Sequence, residues 1–551
     1  MPHKTIADQL LARAGDDHPG LLTRDRSWTW REVVEESAAR AAWARELRTE
    51  GPFHIGVLLD NEPEYVFWLG AAALAGATVV GINPTRRGAE LEREVRHTDC
   101  QVIVTDRAGA ALLDGLDIGV EADRFLVVDA PDYPDRVVRY DRKPVPDPDV
   151  TATTRMLLLL TSGTTGVSKA AICSQGRLAA LGATNSAKYD ISREDICYCP
   201  MPLFHGNALM ALWAPALSAG STIALTRRFS ASGFLPDVTY FGATYFTYVG
   251  KAIGYILARP EAPGDAGNRL THGFGTEASP EDAARFLDRF GCRLVEGYGS
   301  SEGAGMLKRV SGAPTGALGR PARDGVRIVH PTERTTCPPA VLDSYGRVRN
   351  PEEAIGEIVD TEGAARFEGY YNNEAANAER VRHGWYWTGD LGYVDEAGFF
   401  YFAGRSGDWI RVDGENISAL LTERILRRHH GVIAAGVFGV PDPRSGDQVM
   451  AAVEIAAGTR FEDMDLPGFL DRQEDLGTKG APRFVRVSHA LPTTASGKLR
   501  KKEMQLDGWR TGDPVYRWAG RGKPAYTPMT DEEKAALRGE FQANGRARFL
   551  P

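Results

Sequence analysis

Nine consecutive residues carry the first suggestion of chemistry. After four leucines (Leu157–Leu160) the chain reads Thr161, Ser162, Gly163, Thr164, Thr165, Gly166, Val167, Ser168 and Lys169. A buried strand running into glycines, hydroxyls and one cation offers backbone N–H groups, hydroxyl donors and positive charge together. That set suits a polyphosphate, because glycine lets the backbone come close at little conformational cost. It is not a Walker A loop: Lys169 does not follow a glycine. A flexible surface loop is the competing reading, and the strand in front with the lysine behind favours phosphate. Three more residues need context before they mean anything. Glu302 in Tyr298-Gly299-Ser300-Ser301-Glu302 and Lys498 after Gly497 would each ordinarily be solvated surface charges, and Asp390 in Thr388-Gly389-Asp390 an ordinary turn.

These residues need a scaffold, and its pattern is repetitive. With 551 residues the chain exceeds what one core usually supports, so more than one domain is expected. From residue 53 the pattern alternates: strand HIGVLLD, helix EPEYVFWLGAAALAG, strand ATVVGIN, helix RGAELEREVRHTD, strand CQVIVTD. Such alternation predicts a parallel sheet with helices on both faces. Before it come a helix, a short hairpin (LLTRDRSWTW) and a second helix. Residues 139–150 read as a linker. After the glycine-rich segment follow a helix over 175–188, a loop CYCPMPLFHG, a helix over 207–219 and a strand over 222–226. The turns Ala75-Gly76-Ala77-Thr78 and Ala219-Gly220-Ser221-Thr222 occupy equivalent places and predict two related α/β layers. Residues 316–401 read as a β-rich subdomain. Beyond residue 404 a small α+β unit is expected, with a helix ALLTERILRRHH, two strands (VIAAGVFGVPD and VMAAVEIA) and a helix over 465–475. The last forty residues offer one helical piece, DEEKAALRGEFQA.

Composition excludes several classes. Lys and Arg number 65 against 73 Asp and Glu, and no basic stripe appears, so nucleic acid is not an expected partner. Six cysteines with no CxxC pair argue against a disulfide framework and a zinc site, and Cys197 and Cys199 read as packing residues. The first seventeen residues lack the apolar core of a secretion signal, so a reduced, cytoplasmic protein is expected. The uncharged runs 65–82 and 206–226 each contain an internal Gly stop and read as helix–strand pairs, not spans. Peripheral membrane contact and oligomeric state stay open.

Four further stretches give the isolated residues a context: GYGSSEG (297–303), GEI (356–358), WYWTGDLGYVDEAGFFYFAGR (385–405) and LPTTASGK (491–498). With TSGTTGVSK, in this order, the chain resembles the acyl-adenylate-forming enzymes: acyl-CoA synthetases, luciferases and non-ribosomal adenylation domains. RVDGENIS and the tail GDPVYRWAGRGKPAYTP are most similar to fatty-acid-transport and very-long-chain acyl-CoA synthetases. The resemblance implies a large domain over 1–404 with ATP and acyl sites, a hinge over 405–408 and a small mobile lid over 409–551. It implies ATP, Mg²⁺ and CoA as cofactors and a small-molecule carboxylic acid as substrate.

Residue roles follow from the resemblance. Thr161, Ser162, Gly163, Thr164, Thr165, Gly166 and Lys169 would hold the β- and γ-phosphates; Ser168 and Ala170 replace the family's usual Pro and Gly. Glu302 would hold Mg²⁺, Ser301 stands where Thr is usual, and Tyr298, with Gly299 and Ser300 beside it, would stack on adenine. Gly275, Thr276 and Glu277 fall where the family wraps backbone around adenine and acyl group. His205 and Gly275 would border the acyl pocket. Asp390 would accept from the ribose hydroxyls, with Arg405 near ribose or phosphate. Lys498 would bridge the substrate carboxylate and the α-phosphate, and is the expected catalytic residue together with Glu302 and Thr164. After lid rotation about Gly407, the segment 412–416, including Gly414 and Glu415, would replace Lys498. The implied function is ATP-dependent ligation of a hydrophobic acid, a long-chain fatty acid or a bulky acid such as a steroid side-chain carboxylate, to CoA through an acyl-AMP. The alternatives are an acyl-AMP ligase that loads a carrier protein and a non-catalytic, transport-associated nucleotide binder.

Overall fold

The computed structural model describes residues 4–550 except 162–168, 304–306, 311, 315, 344–347, 406–408, 413–414, 445, 477–478, 495–496 and 519–524. Two sheets dominate the N-terminal region. One runs Phe125–Val127, Cys100–Thr105, His54–Leu58, Thr78–Gly81, Arg155–Thr161, Lys169–Ser174. All its neighbours are parallel except the last two strands, which form an antiparallel hairpin. The other runs Arg293–Glu296, His272–Thr276, Tyr245–Val249, Ile196–Cys199, Thr222–Leu225, Pro19–Leu22, Ser27–Thr29, parallel until its final hairpin.

The predicted equivalence of the two layers is borne out in backbone geometry. Gly76 (φ +69°) ends helix Pro63–Ala75 and Gly220 (φ +73°) ends helix Ala214–Ala219, each just before a parallel strand of a different sheet. A left-handed residue satisfies the last carbonyls of a helix, and only glycine adopts it without a side-chain penalty. Helices Trp30–Leu47 and Pro63–Ala75 pack closely because Gly70 has no Cβ, which would lie 2.2 Å from Ser37 Oγ. The six cysteines are all reduced and buried.

A third sheet, Leu307–Lys308, Ala317–Pro321, Phe400–Arg405, Trp385–Val394, Gly356–Asp360, Val326–Val329, forms the β-rich subdomain. The smaller C-terminal domain holds a two-stranded ribbon (Trp409–Val412, Glu415–Ser418) and a five-stranded sheet. The observed architecture is therefore α/β with a large N-terminal and a smaller C-terminal domain.

Four local expectations are corrected. The helix over 207–219 is broken: Leu209–Trp213 is a π-helical turn, after which Pro215 opens a new α-helix. Proline has no N–H for the i−4 carbonyl, so the wider turn accommodates the lost bond. The expected loop beginning at Cys197 starts as strand Ile196–Cys199, and the helix over 465–475 is the shorter Leu466–Asp471. Residues Val515–Trp518 and Tyr526–Pro528 add two strands to the small sheet. Met529, Leu537 and Phe541 then pack on Trp509 and Phe438, so the C-terminal residues belong to that domain's core.

Candidate active site

The strands on either side of the glycine-rich segment, Arg155–Thr161 and Lys169–Ser174, pair antiparallel. Thr161 pairs with Lys169, and Thr161 Oγ1 donates to the Lys169 carbonyl at 3.3 Å. Ser162, Gly163, Thr164, Thr165 and Gly166 lie outside the described residues, as do Gly414 and residues 406–408. Lys169 Nζ is 3.2 Å from Glu379 Oε2 and sits 5.3 Å from the Tyr370 ring centroid. Tyr370 in turn donates its hydroxyl to Glu302 Oε1 at 2.6 Å and accepts from Arg380 Nε at 3.1 Å. The predicted phosphate lysine and the predicted metal carboxylate thus share one tyrosine. Glu302 is 8% exposed and Tyr370 2%. Burial and the adjacent Glu302 carboxylate hold the Tyr370 phenol well above its ordinary value.

Strand Arg293–Glu296 ends just before residues 297–303, which carry Tyr298, Gly299, Ser300 and Ser301. Tyr298 donates its hydroxyl to Asp390 Oδ2 at 2.9 Å. The Ser301 carbonyl accepts from Arg177 at 2.5 Å, while its hydroxyl faces Gly206 closely enough that a Cβ there would lie 3.2 Å away. Asp390 occupies an irregularity between strands Gly356–Asp360 and Trp385–Val394, whose register shifts between Glu357 and Val359. Gly389, at φ +75°, donates its N–H to Glu357 Oε1 at 2.6 Å, and Thr388 Oγ1 donates to the Ile358 carbonyl at 2.7 Å. A bulge of this kind re-aims one side chain of an otherwise regular strand, here Asp390. The backbone of Arg405 pairs opposite Asp390, and that of Glu415 opposite Val412.

Gly275 and Thr276 end strand His272–Thr276, which lies beside the edge strand Arg293–Glu296. A Cβ on Gly275 would lie 2.4 Å from the Tyr248 carbonyl oxygen, so the neighbouring strand demands glycine there. Glu277 follows with φ +73°, a conformation unfavourable for a side-chain-bearing residue. Glu296 braces that corner: its Oε1 accepts from Tyr248 Oη at 2.7 Å and from the Ala278 N–H at 3.2 Å. Burial pushes the Glu296 carboxyl up to about 7, against the hydrogen bonds from Tyr248 and Ala278.

Lys498 lies in a tight turn: the Thr494 N–H donates to the Lys498 carbonyl at 2.7 Å, and the Lys498 N–H to Thr494 Oγ1 at 3.0 Å. Its ammonium is 3.1 Å from Glu277 Oε1. His205 caps the short helix Gly206–Ala208 and accepts from the Asn207 N–H at 3.4 Å. Burial, and then the Lys498 charge, lower its imidazole to about 4. At neutral pH it therefore adds no second cation beside Lys498.

The donor set fits the implied groups. Mg²⁺ in nucleotide sites is ordinarily held by one or two carboxylates plus substrate phosphates, not by an all-protein cage. Glu302, a buried carboxylate hydrogen-bonded to Tyr370, is a group of that kind.

Residues 9–371 match the family described as AMP-binding enzyme, and 421–498 its C-terminal domain. The chain belongs to this family, the acyl-adenylate-forming enzymes. It is similar to a steroid-22-oyl-CoA synthetase of Rhodococcus jostii (strain RHA1), 64% identical over 547 residues, covering 99% of each chain. It also resembles a medium/long-chain-fatty-acid–CoA ligase, FadD17, of Mycobacterium tuberculosis, at 42% identity over 93% of this chain and 98% of that one. Among solved structures, an anthranilate CoA ligase, AuaEII, in complex with anthranoyl-AMP shares the fold, with a TM-score of 0.80, 20% identity and coverage of 92% of this chain and 97% of that one.

Sequence reasoning missed Tyr370, Arg380 and Glu296. The pair Tyr370-Tyr371 within GYYNN was the available signal, yet its partner Glu302 lies 68 residues away.

Proposed function

We propose that this protein is an ATP-dependent acyl-CoA ligase whose acid is a steroid carrying a side-chain carboxylate, the class named for its Rhodococcus relative. Identity of 64% across 99% of both chains is the observation that carries the substrate class. In the first half-reaction a carboxylate oxygen bonds to the α-phosphorus of ATP and pyrophosphate leaves. In the second, the CoA sulfur bonds to the acyl carbon and AMP departs with the electron pair of the broken C–O bond.

The chain's own groups supply position and charge. Lys498 already faces a carboxylate, that of Glu277, and a substrate carboxylate beside it would be held by the same cation. This placement acts on charge that develops during attack, where preorganised donors are most effective. Asp390, aimed by its bulge and tied to Tyr298, accepts from the ribose hydroxyls. Lys169, with the glycine-rich segment before it, neutralises the departing pyrophosphate. Bound Mg²⁺, held by Glu302, would neutralise phosphate charge. Residues 405–408 serve as the hinge that withdraws Lys498 and brings the 412–416 segment to the site.

Acid-dependent pyrophosphate release and CoA thioester formation should be measured with steroid side-chain acids, fatty acids of graded length and aromatic acids. The highest kcat/KM is expected for a steroid acid. A preference for linear fatty acids would reject the steroid reading, and thioester on a carrier protein but not on CoA would reject the ligase reading.

A further inference from the structure

The small domain meets the large one through a buried ion pair. Lys251 stands in the first turn of helix Gly250–Leu257, immediately after strand Tyr245–Val249. Its ammonium lies 2.9 Å from Glu454 Oε2, with the two side chains 8% and 1% exposed. Glu454 belongs to strand Asp447–Ile455 of the small domain. The same Glu454 oxygen accepts from the Leu491 N–H at 2.9 Å, and Lys251 also donates to the Leu491 carbonyl at 3.4 Å. Leu491 begins the loop that ends at Lys498. Further along that loop, Gly497 (φ +83°) sits so close to Val249 that a Cβ would lie 2.9 Å from Val249 Cγ2. On the far side of the same corner, the Glu277 carbonyl fills the space where Gly250 lacks a side chain, and the Glu277 carboxylate pairs with Lys498.

We infer that Lys251 and Glu454 are positioning residues for the adenylation half-reaction: they clamp the 491–498 loop onto the Val249–Lys251 corner and so set where the Lys498 ammonium stands. The inference rests on the proposed ligase reading and adds how its lid is held. Two charges withdrawn from water are stable only while paired, and removing one strands the other. The clamp therefore belongs to one lid position. When Lys498 is withdrawn, Glu454 must find water or another partner, so the pair biases the lid toward the first half-reaction and takes no part in the second.

The test splits the two half-reactions. Displacement of a catalytic group by about 1 Å can cost on the order of 10²-fold in rate. Lys251→Met is expected to lower acid-dependent ATP–pyrophosphate exchange by about that factor, and to leave conversion of supplied acyl-AMP to acyl-CoA at the wild-type rate. Lys251→Arg should recover much of the exchange, and the reversed pair, Lys251→Glu with Glu454→Lys, more than either single change. Equal loss in both half-reactions, or unaltered exchange, would overturn the clamp. Absence of exchange by the wild-type protein with every acid would count against the ligase reading instead. In that event amide hydrogen exchange decides the clamp. The 488–500 peptide should exchange faster in Lys251→Met than in wild type, and equal protection rejects it.

Discussion

The two halves of the site are built to different standards. On the large domain, Arg380, Tyr370 and Glu302 are hydrogen-bonded in series and Tyr298 is bonded to Asp390, with Glu302 and Tyr370 nearly sealed from water. Lys498 of the small domain and its partner Glu277 on the large one are 42% and 52% exposed, joined by an ion pair that water screens. The residues proposed to hold the nucleotide are fixed beforehand, whereas Lys498, proposed to act only during attack, is exposed. On the proposed reading, the exposed Lys498–Glu277 contact can be released at little cost, and what opposes the movement of the small domain is the buried Lys251–Glu454 pair. The difference teaches where each kind of interaction is tolerable: permanence for binding, looseness for delivery.

That contrast can be broken most severely at its exposed end. Lys498→Ala should reduce acid-dependent pyrophosphate exchange by ~10²–10³-fold, the usual effect of losing one transition-state contact. Supplied acyl-AMP should still become acyl-CoA, and parallel loss of both activities would mean that Lys498 is not confined to the first step. On the fixed side, Asp390→Ala removes an ionised acceptor and unpairs Tyr298. Hydrogen bonds to charged groups contribute about 1.5–3 kcal/mol, so KM for ATP should rise by on the order of 10–100-fold. Steady-state kinetics at saturating acid would check it, and a change confined to kcat would count against ribose contact.

Smaller effects sharpen the comparison. Tyr370→Phe deprives buried Glu302 of its donor and should destabilise the fold by about 1–2 kcal/mol, read from urea denaturation, while raising the Mg²⁺ concentration needed for half-maximal exchange. A further effect concerns pH. Glu296 has a folded value near 7 against an ordinary 4.5. Between those values the folded protein binds the extra proton, so this group's contribution to stability is full below about 4.5 and declines as pH rises to 7. Glu296→Gln mimics the protonated form. Its melting temperature should match wild type at pH 5 and exceed it at pH 8, and the reverse order would refute the raised value.

Much of this was legible in the chain. Alternating strand and helix patterns gave both α/β layers, because helix stops at Gly76 and Gly220 are written locally. The ordered stretches around Glu302, Asp390 and Lys498 identified the family, since each spans only a few neighbours. What escaped depends on distant partners. Tyr370 acquires meaning only against Glu302, and Lys251 only against Glu454 across the domain boundary. The elevated Glu296 carboxyl is a product of burial, which no local pattern encodes. Strands Val515–Trp518 and Tyr526–Pro528 are too short and polar to show a period of two, and only the sheet they join reveals them. The π-helical turn before Pro215 was hinted at by the proline, yet its width is a packing outcome.

The six cysteines have a practical consequence. All are buried, and burial pushes the Cys100, Cys173, Cys197 and Cys292 thiols up to about 12. Thiol-directed dyes should therefore ignore the native protein. Cysteines introduced at the exposed positions Val138 and Leu506, one on each domain, would be the preferred sites of maleimide labelling. A fluorophore pair there could test the proposed rotation of the small domain in a protein whose own sulfur atoms stay silent.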